Sequence, residues 1–257
     1  MLLSIIVIEY NSLDDILLFD KHVKKLLKDM DYELIVSSNS CYDLSKQKEI
    51  KEQMPHVNWS FNEKNGGFAY GMNRGLELAQ GDYLMIANPD MTLKYGLKEA
   101  IDFLHNHEVV GAVGPLIRDK ESEVQDSART YLTVSSWINR NTKRLLGREV
   151  KCNYSRVQTV DWVIGACILM KREAYQATGG LDEHYFLYVE DLDLCTRIRA
   201  AGLEVVHFPK MEVEYKGTRS ARHSRKYANI FFKSIWYYWK KFGFFSISPK
   251  RKKIIFE

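Results

Sequence analysis

Between Tyr185 and Arg197 the chain reads YFLYVEDLDLCTR, a run of core-type side chains interrupted by three carboxylates, Glu190, Asp191 and Asp193. Ionised carboxylates are costly to bury without partners, so the run marks either a helix start with solvated acids or a site that uses their charge. Acids favour the first helical turn, where they meet the positive end of the dipole. Asp193 and Arg197 stand four apart with the acid first, the better order for a pair on a helix surface. On these residues alone the two readings stand level.

A second acid sits where a cation would be useful. In DYLMIANPD, Asp90 follows a buried-type apolar run and the proline that breaks it, so its carboxylate could let Mg²⁺ or Mn²⁺ bridge the protein to a diphosphate. A ligand-free Asn-Pro-Asp turn uses the same residues, and taken alone it is the better reading. In NEKNGGFAYGMNRG, Gly66 and Gly67 permit a tight turn and Gly71 a close approach of a helix. The spacing is not GxGxxG, and packing of helix on sheet explains it equally. Arg74, one turn into that helix, could reach an anion, but a structural role is the simpler reading.

Elements must hold these segments together. A chain of 257 residues, 46% of them hydrophobic, suffices for one large domain, with or without an appendage. LLSIIVI (2–8), YELIVSS (32–38), VNWSFNE (57–63) and DYLMIANPD (82–90) read as strands, the first suited to a parallel strand covered on both faces. Helical patterns separate them: Ile16, Leu17, Phe19, Val23, Leu26 and Leu27 with lysines between, then Lys46 to Met54, then a helix within 66–81 closed by Gly81. This alternation predicts an α/β fold with a doubly wound, mostly parallel sheet. Such sheets bind ligands outside the carboxyl ends of their strands, here Glu9 to Asn11, Ser38 to Asp43, Asn65 to Arg74 and Asn88 to Asp90.

From Lys120 to Gln158 the chain is polar and predicts no regular element; VDWVIGACILMKREAY then reads as a strand running into a helix. The four cysteines, Cys41, Cys152, Cys167 and Cys195, lack CxxC or zinc-like spacing and read as core or free thiols. No apolar run approaches the roughly 20 residues of a membrane span. MLLSIIVIEYNS has neither the basic start nor the cleavage site of a signal peptide, so a cytoplasmic protein is expected.

Together, IIVIEYNS, SNSCYD, NGGFAYGMNRG, ANPDM, WVIGACILMKREAY, GGLDEHYFLYVEDLDLCTRIRAAG and the later FP...G.RS resemble the family 2 glycosyltransferases of GT-A fold, in order and spacing over roughly residues 3 to 220. The likeness is strongest to the rhamnosyltransferase-like branch that builds bacterial surface polysaccharides. It implies a metal-dependent, inverting transferase that moves a sugar, rhamnose foremost, from a nucleoside-diphosphate sugar (dTDP-rhamnose or a UDP-sugar) to a lipid-linked or polymeric glycan. It implies that Asp191 is the general base for the acceptor hydroxyl, with Glu190, Trp162 and Gly165 at the acceptor or sugar. It places Tyr10, Asn11, Ser38, Asn39, Asn65, Gly66, Gly67, Asn73, Arg74 and Asn88 around the nucleotide sugar. Asp90 would hold Mg²⁺ or Mn²⁺ against the leaving diphosphate. Asp193 and Arg197 remain a helix pair.

The chain departs from the family pattern in several places. Ser38 stands where the family usually has an Asp that contacts the base, Glu9 replaces the usual Thr before Tyr-Asn, and Asn88 replaces the first acid of an Asp-x-Asp metal motif. Tyr215 aligns with a His that is often a further metal ligand, counting from Pro209 to Ser220, and His207 reads as a strand residue. A non-catalytic glycan- or membrane-binding scaffold on the same fold is the alternative that Ser38, Asn88 and Tyr215 suggest.

Charge is divided unevenly along the chain. Residues 216–257 hold 12 Lys or Arg and one acid, a net of +11, so residues 1–215 carry 25 bases and 32 acids, a net of −7. The expected division is a GT-A domain over 1–215 and a basic aromatic extension over 216–257. Within 220–245 a helical pattern puts Tyr227, Phe231, Ile235, Tyr238, Trp239 and Phe242 on one face and Arg222, Lys226, Lys233 and Lys240 on the opposite one. The apolar face would dock on the domain or, with the cations and Trp236 and Tyr237 near the polar side, meet an anionic membrane at the inner face of the cell membrane. No nucleic-acid motif accompanies the charge, and a homo-oligomer is compatible with it.

Overall fold

Nine strands form one sheet in the computed structural model, which describes residues 1–145, 153–215, 224–247 and 254–256. The chain begins with β1 (Leu3–Glu9), α1 (Leu13–Leu26), β2 (Tyr32–Ser38), α2 (Leu44–Gln53), β3 (Asn58–Phe61), α3 (Phe68–Leu76) and β4 (Tyr83–Ala87). It continues through β5 (Thr92–Tyr95), α4 (Leu97–Asn106), β6 (Val110–Arg118), β7 (Ala128–Arg129), α5 (Val134–Leu145), β8 (Gln158–Val160), β9 (Trp162–Val163) and β10 (Cys167–Lys171). The last elements are α6 (Arg172–Thr178), α7 (Glu190–Ala200), β11 (Glu204–Glu214) and α8 (Arg225–Phe242).

The strand order is β3-β2-β1-β4-β10-β6-β11-β5, with β8 on β11 and a separate β7–β9 pair. β3, β2, β1 and β4 run parallel, as do β6 and β11, while β10 lies antiparallel between β4 and β6. β1, β2 and β4 read as near-continuous apolar runs because both faces are covered. Ile5 and Val7 of β1 join one core with α1, α2 and α4, and Ile6 joins the other with α3, α7 and α8. From β1 the chain winds outward to β2 and β3, then returns to β4 on the other side of β1. That reversal opens a crevice at the carboxyl ends of β1 and β4.

Three sequence readings are corrected. α3 ends at Leu76, not at Gly81; Gly81 is instead a close-approach position, where a Cβ would stand 2.6 Å from the Leu2 carbonyl oxygen. The polar stretch 120–158 holds α5 and the short β7 and runs into β8, elements its composition hid because its packed side chains, Tyr131, Leu132, Trp137 and Tyr154 among them, are scattered between polar ones. Asp193 and Arg197 do pair, at 2.5 Å, but Asp193 is fully buried and Lys241 also reaches it at 2.6 Å. Cys41, Cys167 and Cys195 are free thiols, whereas Cys152, Arg222 and Ser220 lie outside the described residues. His207 is a buried β11 residue whose imidazole burial drives toward the neutral form.

Candidate active site

The crevice is lined first by the ends of β1 and β2. Glu9 is fully buried, and its carboxylate accepts from the Ser38 hydroxyl (2.5 Å), the Ser40 hydroxyl (3.0 Å), the Tyr42 hydroxyl (3.2 Å) and the Ser12 backbone N–H (2.9 Å). Such saturation is what lets a charge stay buried. Glu9 and Ser38 are direct partners in the parallel ladder. The two departures at these positions are therefore one exchange: the carboxylate stands on β1 and the hydroxyl on β2. Beside them Tyr10 is exposed, and Asn11 and Cys41 hold left-handed backbone (φ 52° and 55°), a conformation that costs energy in non-glycine residues.

Asn39 carries the lining toward α3. Its amide donates to the Gly67 carbonyl at 3.0 Å, and a Cβ on Gly71 would press against that amide at 2.9 Å. Gly67, at φ 93°, passes so close to the 181–189 loop that a Cβ would fall 2.2 Å from the Phe186 carbonyl oxygen, which accepts from Phe68 N at 2.7 Å. Asn65 steadies the turn by accepting from Gly67 N at 3.0 Å, and Gly66 lies against the Tyr70 ring. Asn73 exchanges hydrogen bonds with Leu181 and reaches Glu183, and Arg74 pairs with Glu77 and Glu183. These last two side chains tie α3 to the loop that precedes the acids.

That loop delivers α7 under strain. Tyr188 and Val189 are both left-handed (φ 69° and 75°), an outlier for a β-branched residue, so the surrounding packing holds them there. Asp191 then sits in the first turn, its Oδ2 accepting from Gly165 N at 2.8 Å and its Oδ1 from Leu192 N at 2.7 Å. Glu190 is 6% exposed, and its Oε2 has no partner among the described residues. Burial and the adjacent Asp191 push the Glu190 carboxyl well above the usual range. Burial also raises Asp191, but the backbone N–H groups and the Arg129 guanidinium oppose it. Burial therefore disfavours charge at both, and the two backbone N–H groups with the guanidinium favour it at Asp191. The result is a hydrogen-bonded carboxylate beside one with an unpartnered oxygen among the described residues.

Gly165 also links the two acids found in the sequence. Its neighbour Ala166 accepts from Asn88 N at 3.0 Å, because β10 runs back along β4. The Asp90 turn and the Asp191 turn are thus two hydrogen bonds apart along one segment. Asn88 donates to the Tyr215 hydroxyl at 3.0 Å, so the departures at 88 and 215 also touch. Burial and the Asp90 charge push the Tyr215 phenol up to about 12. Asp90 itself reaches solvent at the turn, and burial around it, with Asp15 nearby, raises its carboxyl.

No group of three or more metal-ligating side chains occurs among the described residues. Asp90, with the carbonyl oxygen left to Asn88, offers one or two oxygen ligands. That donor set suits a hard cation held largely by substrate phosphates, as Mg²⁺ commonly is.

Arg129 is the site residue that sequence reading missed. It stacks on the Trp162 ring, 4.9 Å from guanidinium carbon to centroid, directly across the β7–β9 ladder, and lies 3.3 Å from Asp126. Trp162 is buried and donates to the Thr130 carbonyl at 3.0 Å. A lone Arg in a polar stretch carries no pattern that could have marked it. Removing its charge with Arg129→Gln raises the Asp191 pKa further, and a base works only above its pKa. The acidic limb of the pH–kcat/KM profile should therefore move to higher pH; an unmoved limb would show that Arg129 does not act on Asp191.

The architecture is that of GT-A-like proteins. It superposes on GalNAc-T7 solved with UDP, GalNAc and Mn²⁺ (TM-score 0.64, 15% identity, covering 84% of this chain and 44% of that one). It also superposes on the mannosyltransferase PcManGT of Pyrobaculum calidifontis solved with GDP-Man and Mn²⁺ (TM-score 0.58, 19% identity, 91% and 64%). The chain belongs to glycosyl transferase family 2, whose profile matches residues 4–179; that of the N-terminal domain of galactosyltransferase matches residues 150–224. Among its relatives is the N-acetylglucosaminyl-diphospho-decaprenol L-rhamnosyltransferase of Mycobacterium tuberculosis, 30% identical over 70% of this chain and 65% of that one. Another is rhamnosyltransferase WbbL of Escherichia coli, 25% identical over 74% of this chain and 76% of that one. The chain thus spans just under two thirds of the mycobacterial relative's length.

Proposed function

We propose that this protein is an inverting, metal-dependent glycosyltransferase that uses a nucleoside-diphosphate sugar, dTDP-rhamnose foremost, and extends a lipid-linked or polymeric glycan. The observation that carries the reading is the short path from Asp191 through Gly165 and Ala166 to Asn88 and Asp90, which supports a proton acceptor and a diphosphate anchor acting in one crevice. The names of the rhamnosyltransferase relatives support the sugar, and the decaprenol-linked acceptor in one of them supports a lipid-linked glycan.

In the reaction the acceptor hydroxyl oxygen attacks the anomeric carbon as its proton passes to the Asp191 carboxylate. The bond from that carbon to the diphosphate breaks on the opposite side, and the nucleoside diphosphate leaves. Glu190, whose carboxyl burial raises and whose Oε2 has no partner among the described residues, hydrogen-bonds the acceptor and orients it. Asp90 would hold a divalent cation, which when bound would supply positive charge against the departing diphosphate. Asp90 and Asp191 standing in one site favour this enzyme over a non-catalytic glycan- or membrane-binding scaffold.

The test is nucleoside-diphosphate release from a panel of dTDP-, UDP- and GDP-sugars with a membrane lipid extract as acceptor. Turnover of one donor that needs both Mn²⁺ or Mg²⁺ and the extract is expected. Donor-independent binding of glycan with no release from any donor would favour the scaffold.

A further inference from the structure

The apolar side predicted for the C-terminal helix is spent on the domain. Ile235 and Tyr238 of α8 are buried against α7 and its loop. The Tyr238 hydroxyl shares a hydrogen bond with Thr196 at 2.8 Å, and Ser234 donates to the Leu187 carbonyl at 2.9 Å. Lys241, on the flank that meets the domain, is bound by Asp182 and Asp193 at 2.7 and 2.6 Å. The cations that α8 uses for structure are therefore paired with acids.

Its outward face is built differently. At about 100° per residue, Arg225, Lys226, Asn229, Phe232, Lys233, Trp236 and Lys240 fall in one arc of roughly 120°. All seven are exposed, with Phe232 at 53% and Trp236 at 52%, and elsewhere on the helix only Tyr227 and Lys241 are exposed. The arc holds two large aromatics and four cations and no carboxylate, and none of the four cations forms an ion pair among the described residues. Lys240 lies over the Trp236 ring at 5.8 Å. Beyond the helix Phe244 packs edge-on against Trp236, and Phe245 is 77% exposed. Between Phe232, Lys233, Ile235, Trp236 and Trp239 lies a shallow groove of about 330 Å³.

We infer that this outward face of α8 seats on an anionic lipid surface, with Phe232, Trp236 and Phe245 entering the headgroup boundary and Arg225, Lys226, Lys233 and Lys240 meeting lipid phosphates. Exposed aromatics flanked by unpaired cations match an interface that is apolar below and negative above. The remaining charge of the tail adds to the same field, since 12 of the 37 Lys and Arg residues fall in 216–257 with one acid. A second copy is a poor occupant, because two-fold pairing would set this acid-free face against itself. No helix among the described residues is long and apolar enough to cross a membrane, so the contact is at the surface. Because α8 is bonded to α7, docking it also fixes the helix that carries Asp191. That consequence rests on the proposed function; the lipid contact itself does not.

The full chain is tested by co-sedimentation with vesicles of phosphatidylglycerol and phosphatidylcholine, against vesicles of phosphatidylcholine alone. Binding is expected to the anionic vesicles, to weaken with salt, and to fall about tenfold in Phe232→Ser/Trp236→Ser and again in Lys226→Glu/Lys233→Glu. Both variants should melt with wild-type Tm, since every substituted side chain is exposed, and should keep wild-type release of nucleoside diphosphate with a water-soluble acceptor. Equal vesicle binding by wild type and both variants would overturn the inference. So would an RNA probe that binds where vesicles do not, or a self-associating chain whose dimer the same substitutions dissolve. Loss of turnover with vesicle binding intact would instead count against the proposed function.

Discussion

Asp191→Asn is expected to lower acceptor-dependent turnover by about 10²–10⁴-fold, the usual contribution of a positioned general base, while donor binding persists. An amide cannot take a proton from the acceptor hydroxyl at neutral pH, so the nucleophile would have to lose its proton to solvent. The substitution is nearly isosteric but not silent. Both carboxylate oxygens accept backbone N–H groups, from Gly165 and Leu192, and the amide has only one oxygen to offer. A loss of roughly 1–3 kcal/mol in stability should accompany it, which a melting curve separates from the kinetic effect. If the loss of activity tracked the loss of folded protein, Asp191 would be structural.

Ser38→Asp should be the most damaging conservative change at the other end of the crevice. It restores the acid that relatives usually carry there, yet in this chain it removes the 2.5 Å donor to Glu9 and sets a second carboxylate against a buried one. An uncompensated buried charge costs about 3–5 kcal/mol. At about 2–4 °C per kcal/mol for a domain of this size, the melting temperature should fall by roughly 10 °C, and less at acidic pH where one acid takes a proton. Adding Glu9→Thr moves the carboxylate to β2 and the hydroxyl to β1, and should recover most of the stability. A double-mutant cycle measures this directly, and additive single effects would show that the two positions are not exchanged partners.

The same pair shows what a sequence can and cannot display. β1, β2 and β4 were legible because burial on both faces leaves near-continuous apolar runs, YELIVSS reads over the residues that form β2, and the edge strand β3 showed in its aromatic alternation. Glu9 and Ser38 were equally visible as departures, but 29 positions apart nothing marks them as neighbours; strand register does. Asn88 and Tyr215, 127 apart, repeat the lesson. Arg129 had no signal because its importance lies in what it stacks on and charges, not in its spacing. The helical period of α8 and its cationic face were plain in the sequence, whereas the docking of its apolar face required Ile235 and Tyr238 to be seen buried. The acidic run itself was ambiguous for a physical reason. Asp193 is the ion-paired acid and Asp191 the one proposed to react, two residues apart on one helix, and only their surroundings tell them apart.

The most direct test of this account compares wild type and Asp191→Asn for nucleotide-dependent thermal stabilisation and for acceptor-dependent release of nucleoside diphosphate, both with Mn²⁺. Nucleoside diphosphate with Mn²⁺ should stabilise the two proteins alike, and only wild type should turn over. A variant that turns over as fast as wild type would contradict this.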